Sequence, residues 1–454
     1  MKNLFWFRRD LRLEDNVALY QSLLEGEQVL PVFIIEKDFI SSLDTGSSKV
    51  HFLFDAVKKL AIQLNELNSK LIIRFGDPIN EITNLIKEAN IDTVYFNRNY
   101  EIYELQRDER FIYEITKAGY QVKTYKDQVV FEKNELDTDL DFVSYKKAWQ
   151  KKIRVKDYKQ NNFIDTNKFI KIDSNLLSLS PPSPDDYNFD FGAKYKEAGE
   201  KKALTIINES FDSKNFYYEN NFFDFYSFIS PYLHFGNLSV RQLIAKIKSI
   251  YRFTKRVDKN KLDQVIEQII KNNYSSQLYN SKNNKIDFIS EFSDLELNND
   301  YKSFFIWCNG KTGYPIIDAA IIQLNQEGNI NTNLKVLSAE FLVNILKIDR
   351  KLGKRYFIHK LIDSDYSIES GIWDNINSPE LDLVKQSVKF DPKGDFIKKY
   401  IPELGLIPEK FIHNPYKMPI NLQKKLAFII GKNYPLPIVK LKEDIQKIDI
   451  VIEE

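Results

Sequence analysis

Leu4-Phe5-Trp6-Phe7-Arg8-Arg9-Asp10-Leu11-Arg12-Leu13-Glu14-Asp15-Asn16 sets a short apolar run directly against three arginines and three acids. The run has strand character, and a basic cluster in that place, taken alone, would cap the next helix. Four further runs are short and apolar or β-branched: Val29 to Ile35, Leu71 to Phe75, Val94 to Asn97 and Val122 to Tyr125. Helical periods lie between them. The clearest puts Leu53, Val57, Leu60, Leu64 and Leu67 on one face, by spacings of three and four residues. Asp77-Pro78 predicts a helix start with proline in the first turn. Strands separated by helices over residues 1–130 predict a doubly wound parallel sheet, an α/β N-terminal domain. Ligands of such sheets bind beyond the carboxyl ends of the strands.

Residues 131–192 read as an interdomain linker. The stretch from about Lys151 to Asp190 is polar, and its Ser180-Pro181-Pro182-Ser183-Pro184 cannot hold a regular helix. From residue 193 to 454 strand alternation fades and helical spacing dominates, as in Ile317, Ile321 and Leu324, then Leu337, Phe341, Ile345 and Ile348. The second half is therefore expected to be all-α.

Composition excludes several classes. The chain has 454 residues, 43% hydrophobic and 28% charged, which is globular. Lys+Arg is 65 against 64 Asp+Glu, so any polyanion site must be a local patch. The single cysteine, Cys308, excludes an intramolecular disulfide, and none of the four histidines pairs at zinc spacing, so no metal is expected. Charged residues begin too early for a signal peptide, and no apolar run approaches the ~18 residues of a membrane helix; a cytoplasmic protein with no membrane partner is expected. Gly310-Lys311-Thr312 suggests a phosphate loop, but Phe305 stands where the first glycine should be, and no GxGxxG occurs.

Longer strings carry more. Ser230-Pro231-Tyr232-Leu233-His234-Phe235-Gly236, Gly310-Lys311-Thr312-Gly313-Tyr314-Pro315-Ile316-Ile317-Asp318-Ala319, Tyr400-Ile401-Pro402-Glu403-Leu404 and Tyr434-Pro435-Leu436-Pro437 follow the opening Phe-Arg-Arg-Asp-Leu-Arg in order. Together, over about residues 1–440, they resemble the photolyase/cryptochrome family of FAD-binding, blue-light flavoproteins.

The resemblance implies a helical C-terminal FAD-binding domain. Tyr218, Ser227 and Ser230 fall at the family's phosphate-side contacts. Asp363 and Asp365 match its flavin-edge aspartates, with Lys335 in the place of the arginine that pairs with the first. Thr332 lies in Asn331-Thr332-Asn333, where the family has His-Asn-Arg. Glu369 stands opposite flavin N5, where repair enzymes usually carry Asn; burial there would favour its protonated form. Trp307 and Trp373 match two members of the family's tryptophan relay, and Arg350 stands at the middle one. The family's Trp-Arg-Glu of the lesion pocket becomes Lys271-Asn272-Asn273, and a second pocket tryptophan becomes Asn375. The resemblance leaves room for a second antenna chromophore, with Phe96-Asn97 and Glu101 where its loop would be; pterin, deazaflavin, flavin and nothing at all remain open. The implied activity is light-driven reversal of pyrimidine dimers, a deoxyribodipyrimidine photo-lyase. The alternative is a cryptochrome-like photoreceptor or another non-repairing member. DNA would bind through phosphate contacts to basic stretches, nine Lys/Arg against three acids from Arg241 to Lys271 and twelve against four from Lys385 to Lys442. A monomer is expected.

Overall fold

The computed structural model describes residues 1–37, 48–161, 165–171, 176–182, 196–210, 225–253, 259–282, 300–376 and 381–441. By contact the chain falls into two compact units: Met1–Tyr217 with Phe228–Lys285 and Ile362–Ile368, and Tyr218–Ser227 with Ile286–Leu361 and Glu369–Glu454.

The first unit opens with β1 (Lys2–Phe7), α1 (Val17–Glu25), β2 (Gln28–Glu36), α2 (Ser48–Glu66), β3 (Ile72–Gly76), α3 (Pro78–Ala89), β4 (Thr93–Asn97), α4 (Ile102–Lys117) and β5 (Gln121–Tyr125). All pairs are parallel and the order is β3-β2-β1-β4-β5, the doubly wound arrangement expected from the five runs. The direction in which strands are added reverses at β1, which places a crevice beyond Phe7. Leu4, Trp6, Val32, Ile72, Val94 and Phe96 are buried together, explaining why these strands read as nearly continuous apolar runs. Leu67, expected on the face of α2, lies just past its end and is half-buried. The expected start of α3 is observed: the Asp77 side chain accepts from Asn80 N–H at 3.0 Å, with Pro78 in the first turn. Asp77→Ala is expected to lower stability by about 1 kcal/mol in urea denaturation, the cost of losing an exposed cap.

Part of the linker is structural. Ile170 N–H donates to Val29 O at 3.0 Å, at the start of β2 where β3 does not yet pair with it. Leu179 N–H donates to Ile73 O at 2.9 Å on the edge of β3, so described linker residues cover this side of the sheet. Its Ser183-Pro184 lies outside the described residues.

Helices follow: α5 (Phe142–Lys152), α6 (Glu200–Ser210), α7 (Phe225–His234), α8 (Val240–Phe253), α9 (Lys259–Lys282), α10 (Tyr301–Cys308), α11 (Pro315–Glu327), α12 (Thr332–Glu340), α13 (Arg350–Lys360), α14 (Tyr366–Trp373) and α15 (Leu383–Phe390), then shorter turns. No helix among the described residues is long and apolar enough to cross a membrane.

The arginines after β1 do not cap α1, whose cap is Asn16, accepting from Leu19 N–H at 3.2 Å. Each instead meets a carboxylate inside the unit. Arg8 pairs with Asp108 at 2.5 Å, Arg9 with Asp365 at 2.8 Å, and Arg12 with Asp127 at 2.7 Å. Burial alone would raise Asp127; the guanidiniums of Arg12 and Arg241 outweigh it and hold the carboxyl at about 2. Arg12 also donates to Gly236 O at 3.0 Å. Gly236 has φ +66°, and a Cβ there would collide with Arg9 O and Asp10 Cα. The opening string and the Phe235-Gly236 turn are thus mutually dependent, although they lie far apart in sequence.

A similar lock holds the second unit. Asp318 accepts from Thr312 N–H at 2.7 Å, Gly313 N–H at 3.0 Å and Tyr434 O–H at 2.5 Å. Gly310-Lys311-Thr312 is therefore part of a corner organised by a carboxylate, not a phosphate cradle. Burial pushes Asp318 up to about 6, against the pull of these donors.

Candidate functional site

The site residues form one cluster in each unit. In the second unit, Ser227 Oγ lies 3.3 Å from Thr332 Oγ1, and Ser227 O accepts from Asn329 at 2.6 Å. Thr332 begins α12, where Asn331 accepts from Asn333 N–H at 2.9 Å and so caps the helix. One turn on, Lys335 Nζ donates to Glu369 Oε1 at 2.7 Å. The resemblance implied Asp363 as the partner of Lys335; the structure joins Lys335 to Glu369, on the neighbouring α14. Glu369 is 1% exposed, and its Oε2 is buried with no hydrogen-bond partner.

The first unit holds the aspartates. Asp363 accepts from Ser230 on α7. Asp365 gives both oxygens to Arg9, at 2.8 Å each, with His234 Nδ1 3.4 Å from Oδ1. Burial would raise Asp365, but Arg9 and His234 hold it well below the usual carboxylate range. Asp365 is consequently tied to the sheet side. Beside it a cavity of about 200 Å³ opens at the carboxyl ends of the strands, lined among others by Arg9, Phe33, Ile35, Leu53, Phe54 and Glu101. Of the expected chromophore loop, Glu101 does line this cavity. Phe96 and Asn97 do not: Phe96 is buried in the sheet, and Asn97 is fully engaged with Ala18 N–H, Asp10 and Asn16. The sheet's ligand crevice was legible from the strand pattern. Its charged lining was not, because Arg9, Glu101 and Asp365 converge only through tertiary packing.

Trp307 and Trp373, both in the second unit, are fully buried, and Phe357 lies between them with ring centroids 6.0 and 5.4 Å away. The gap expected at Arg350 is filled by this phenylalanine, whereas Arg350 donates outward to Asp374 O at 3.3 Å. Tyr218 lies outside the described residues. In place of a lesion-pocket string, Asn273 binds both backbone groups of Phe131, at 2.8 and 3.1 Å, and Asn375 is exposed. Arg241, counted in the first basic stretch, is buried against Asp15 and Asp127.

Residues 3–161 match the family model described as DNA photolyase, and residues 265–453 match the FAD binding domain of DNA photolyase. The chain is 30% identical to a deoxyribodipyrimidine photo-lyase of Vibrio cholerae, over 92% of this chain and 93% of that one. The chain belongs to the photolyase/cryptochrome family. It is also 26% identical to cryptochrome-1 of Arabidopsis thaliana, over 97% of this chain and 68% of the cryptochrome. Among solved structures, an archaeal photolyase from Sulfolobus tokodaii with two FAD molecules superimposes with TM-score 0.77 at 26% identity, covering 100% of both chains.

The photolyase/cryptochrome cofactor is FAD, and the donor set suits it. Ser227 and Thr332 bring two hydroxyls within 3.3 Å of each other, the donor type that phosphate oxygens accept from. The buried Glu369 Oε2 is an unsatisfied acceptor of the kind that a polar ring edge resolves.

Proposed function

We propose that this chain is a light-driven deoxyribodipyrimidine photo-lyase, acting on pyrimidine dimers in DNA inside the cell. The observation that supports it most is the 30% identity to a photo-lyase along nearly the whole of both chains, joined to buried polar residues that fit FAD. Bound FAD would supply light-driven one-electron donation to the dimer. The chain's own part is to bind and orient. Ser227 and Thr332 would take the phosphate side, together with Tyr218. Asp363 would take the ring edge, with the Ser230 hydroxyl donating to its carboxylate and fixing its rotamer. Lys335 and Glu369 would supply a buried charge pair to the flavin site, Trp373 and Trp307 the route for photoreduction, and Asp365 would support Asp363 from the sheet side through Arg9. The cavity at the sheet's carboxyl end would take a second chromophore. Lysines of the two basic stretches would meet phosphates of DNA, with Arg241 excluded by its burial.

A cryptochrome-like photoreceptor is the second reading, favoured by one observation. Lys271 and Asn375 stand where base-stacking tryptophans would be, and stacking is worth about 1–3 kcal/mol per base. Incubation of the purified holoprotein with dimer-containing oligonucleotide decides. Repair under blue light and none in darkness is expected. Absence of repair by protein carrying full, fully reduced FAD would overturn the photo-lyase reading in favour of the receptor.

A further inference from the structure

The segment Ile362–Ile368 clusters with the sheet unit, although residues on both sides of it cluster with the other. Its attachment is polar and comes from several elements. Lys49 on α2 donates to Ser364 O at 3.0 Å and to Ser364 Oγ at 2.5 Å. Arg9 after β1 clamps Asp365, and His234 at the end of α7 touches the same carboxylate. Glu101, the residue before α4, takes Ser367 N–H at 3.2 Å and Ser367 O–H at 2.5 Å. Glu101 thereby holds the first turn of α14 through both of its oxygens. Asp363, at the far end of the same short segment, has its carboxylate on Ser230. A side chain at the carboxyl end of a sheet strand is thus braced against a turn four residues from the aspartate proposed to hold FAD.

We propose that Glu101 is a positioning residue for FAD binding: it fixes the Ser364–Ser367 turn, and through it the Asp363 carboxylate, from the sheet side. The inference rests on the reading of Asp363 as a flavin-edge residue. Glu101 is well suited to the task in its protonated form, when one oxygen accepts from the Ser367 amide and no second negative charge faces Asp365. The groups that face it are Asp365 just before α14, Arg9 after β1, Glu104 on α4 and Lys49 on α2, with His234 at the end of α7 touching the same Asp365. Burial, then Asp365, pushes the Glu101 carboxyl up to about 8, with Ser367 and Arg9 pulling the other way. Burial and Arg9 push His234 down, so it stays neutral and does not titrate across that range. Above pH 8 an anionic Glu101 repels Asp365 and loosens the turn.

The test is titration of apoprotein with FAD, read by flavin fluorescence and by the circular dichroism of the bound flavin, between pH 7 and pH 9. Wild-type affinity is expected to fall as pH rises through about 8. Glu101→Gln, which imitates the protonated acid, is expected to bind like wild type at pH 7 and to show no such fall. Glu101→Leu is expected to weaken FAD about tenfold or more at every pH, the loss of one buried polar anchor, and to change the flavin dichroism. If Glu101→Leu fails to fold, Ser367→Ala replaces it, with weakening of about threefold expected. Asp363→Ala runs beside them. Should Asp363→Ala bind FAD like wild type, the underlying reading of Asp363 fails. Should Asp363→Ala lose FAD while Glu101→Leu and Ser367→Ala keep wild-type affinity, the role of Glu101 is overturned and the flavin-edge reading stands. Equal pH profiles for wild type and Glu101→Gln also overturn the proposal.

Discussion

Replacing Lys335 by Met is expected to destabilise the second unit by about 3–5 kcal/mol, the usual effect of removing one partner of a buried ion pair. Its other partner, Glu369, is 1% exposed, and the Lys335 ammonium sits 2.7 Å from its Oε1. Glu369 Oε2 already has no partner, so the variant would leave a buried carboxylate with neither oxygen matched to a cation. Methionine keeps most of the lysine stem's apolar volume, which confines the effect to charge. Glu369→Gln in the same background is expected to restore most of the loss, because the amide carries no charge to strand. Urea denaturation of the four proteins, wild type, both single variants and the double, gives the coupling energy directly. A Lys335→Met protein as stable as wild type would show that the pair is not formed in solution.

This pair also marks where sequence reading stopped. The five strands were legible because parallel strands buried on both faces leave apolar runs that need no partner to be recognised. Asp77-Pro78 was legible because capping is local. Lys335 and Glu369 were both singled out, yet neither was assigned to the other, because they lie on α12 and α14 and no local pattern links them. The arginines after β1 show the same limit in reverse. Local rules make a basic cluster before a helix a matter of capping, whereas here Arg8, Arg9 and Arg12 turn inward to Asp108, Asp365 and Asp127. Phe357 was missed for a related reason: a phenylalanine in a helical period is ordinary core, and only its contacts with both tryptophans give it another meaning.

Those contacts set the last expectation, for photoreduction of bound FAD under blue light with an external thiol. Trp373 and Trp307 are separated by Phe357, whose ring touches both. A phenyl ring is much harder to oxidise than an indole, so Phe357 provides a medium for one long transfer and no resting place for the charge. Neither indole N–H has a hydrogen-bond partner, so a tryptophan oxidised there has no acceptor ready to take its proton and must pass the charge on or recover its electron. Beyond Trp307 stands Tyr356, with ring centroids 5.5 Å apart, half-buried, its hydroxyl donating to Cys308 O at 2.8 Å. Slow photoreduction by wild type follows from the missing middle indole. Phe357→Trp is expected to raise the rate by dividing the transfer into two shorter ones. It would also lower stability by about 1–3 kcal/mol, since a larger ring enters a fully packed site. Arg350→Trp, at the position where the relay's middle member was expected, should raise the rate less than Phe357→Trp, because Arg350 points away toward Asp374 O. Trp373→Phe should abolish the reaction while leaving FAD bound, measured as the bleaching of the oxidised-flavin band over time. Bleaching of Trp373→Phe at the wild-type rate would remove Trp373 from the route, and with it the significance of Phe357.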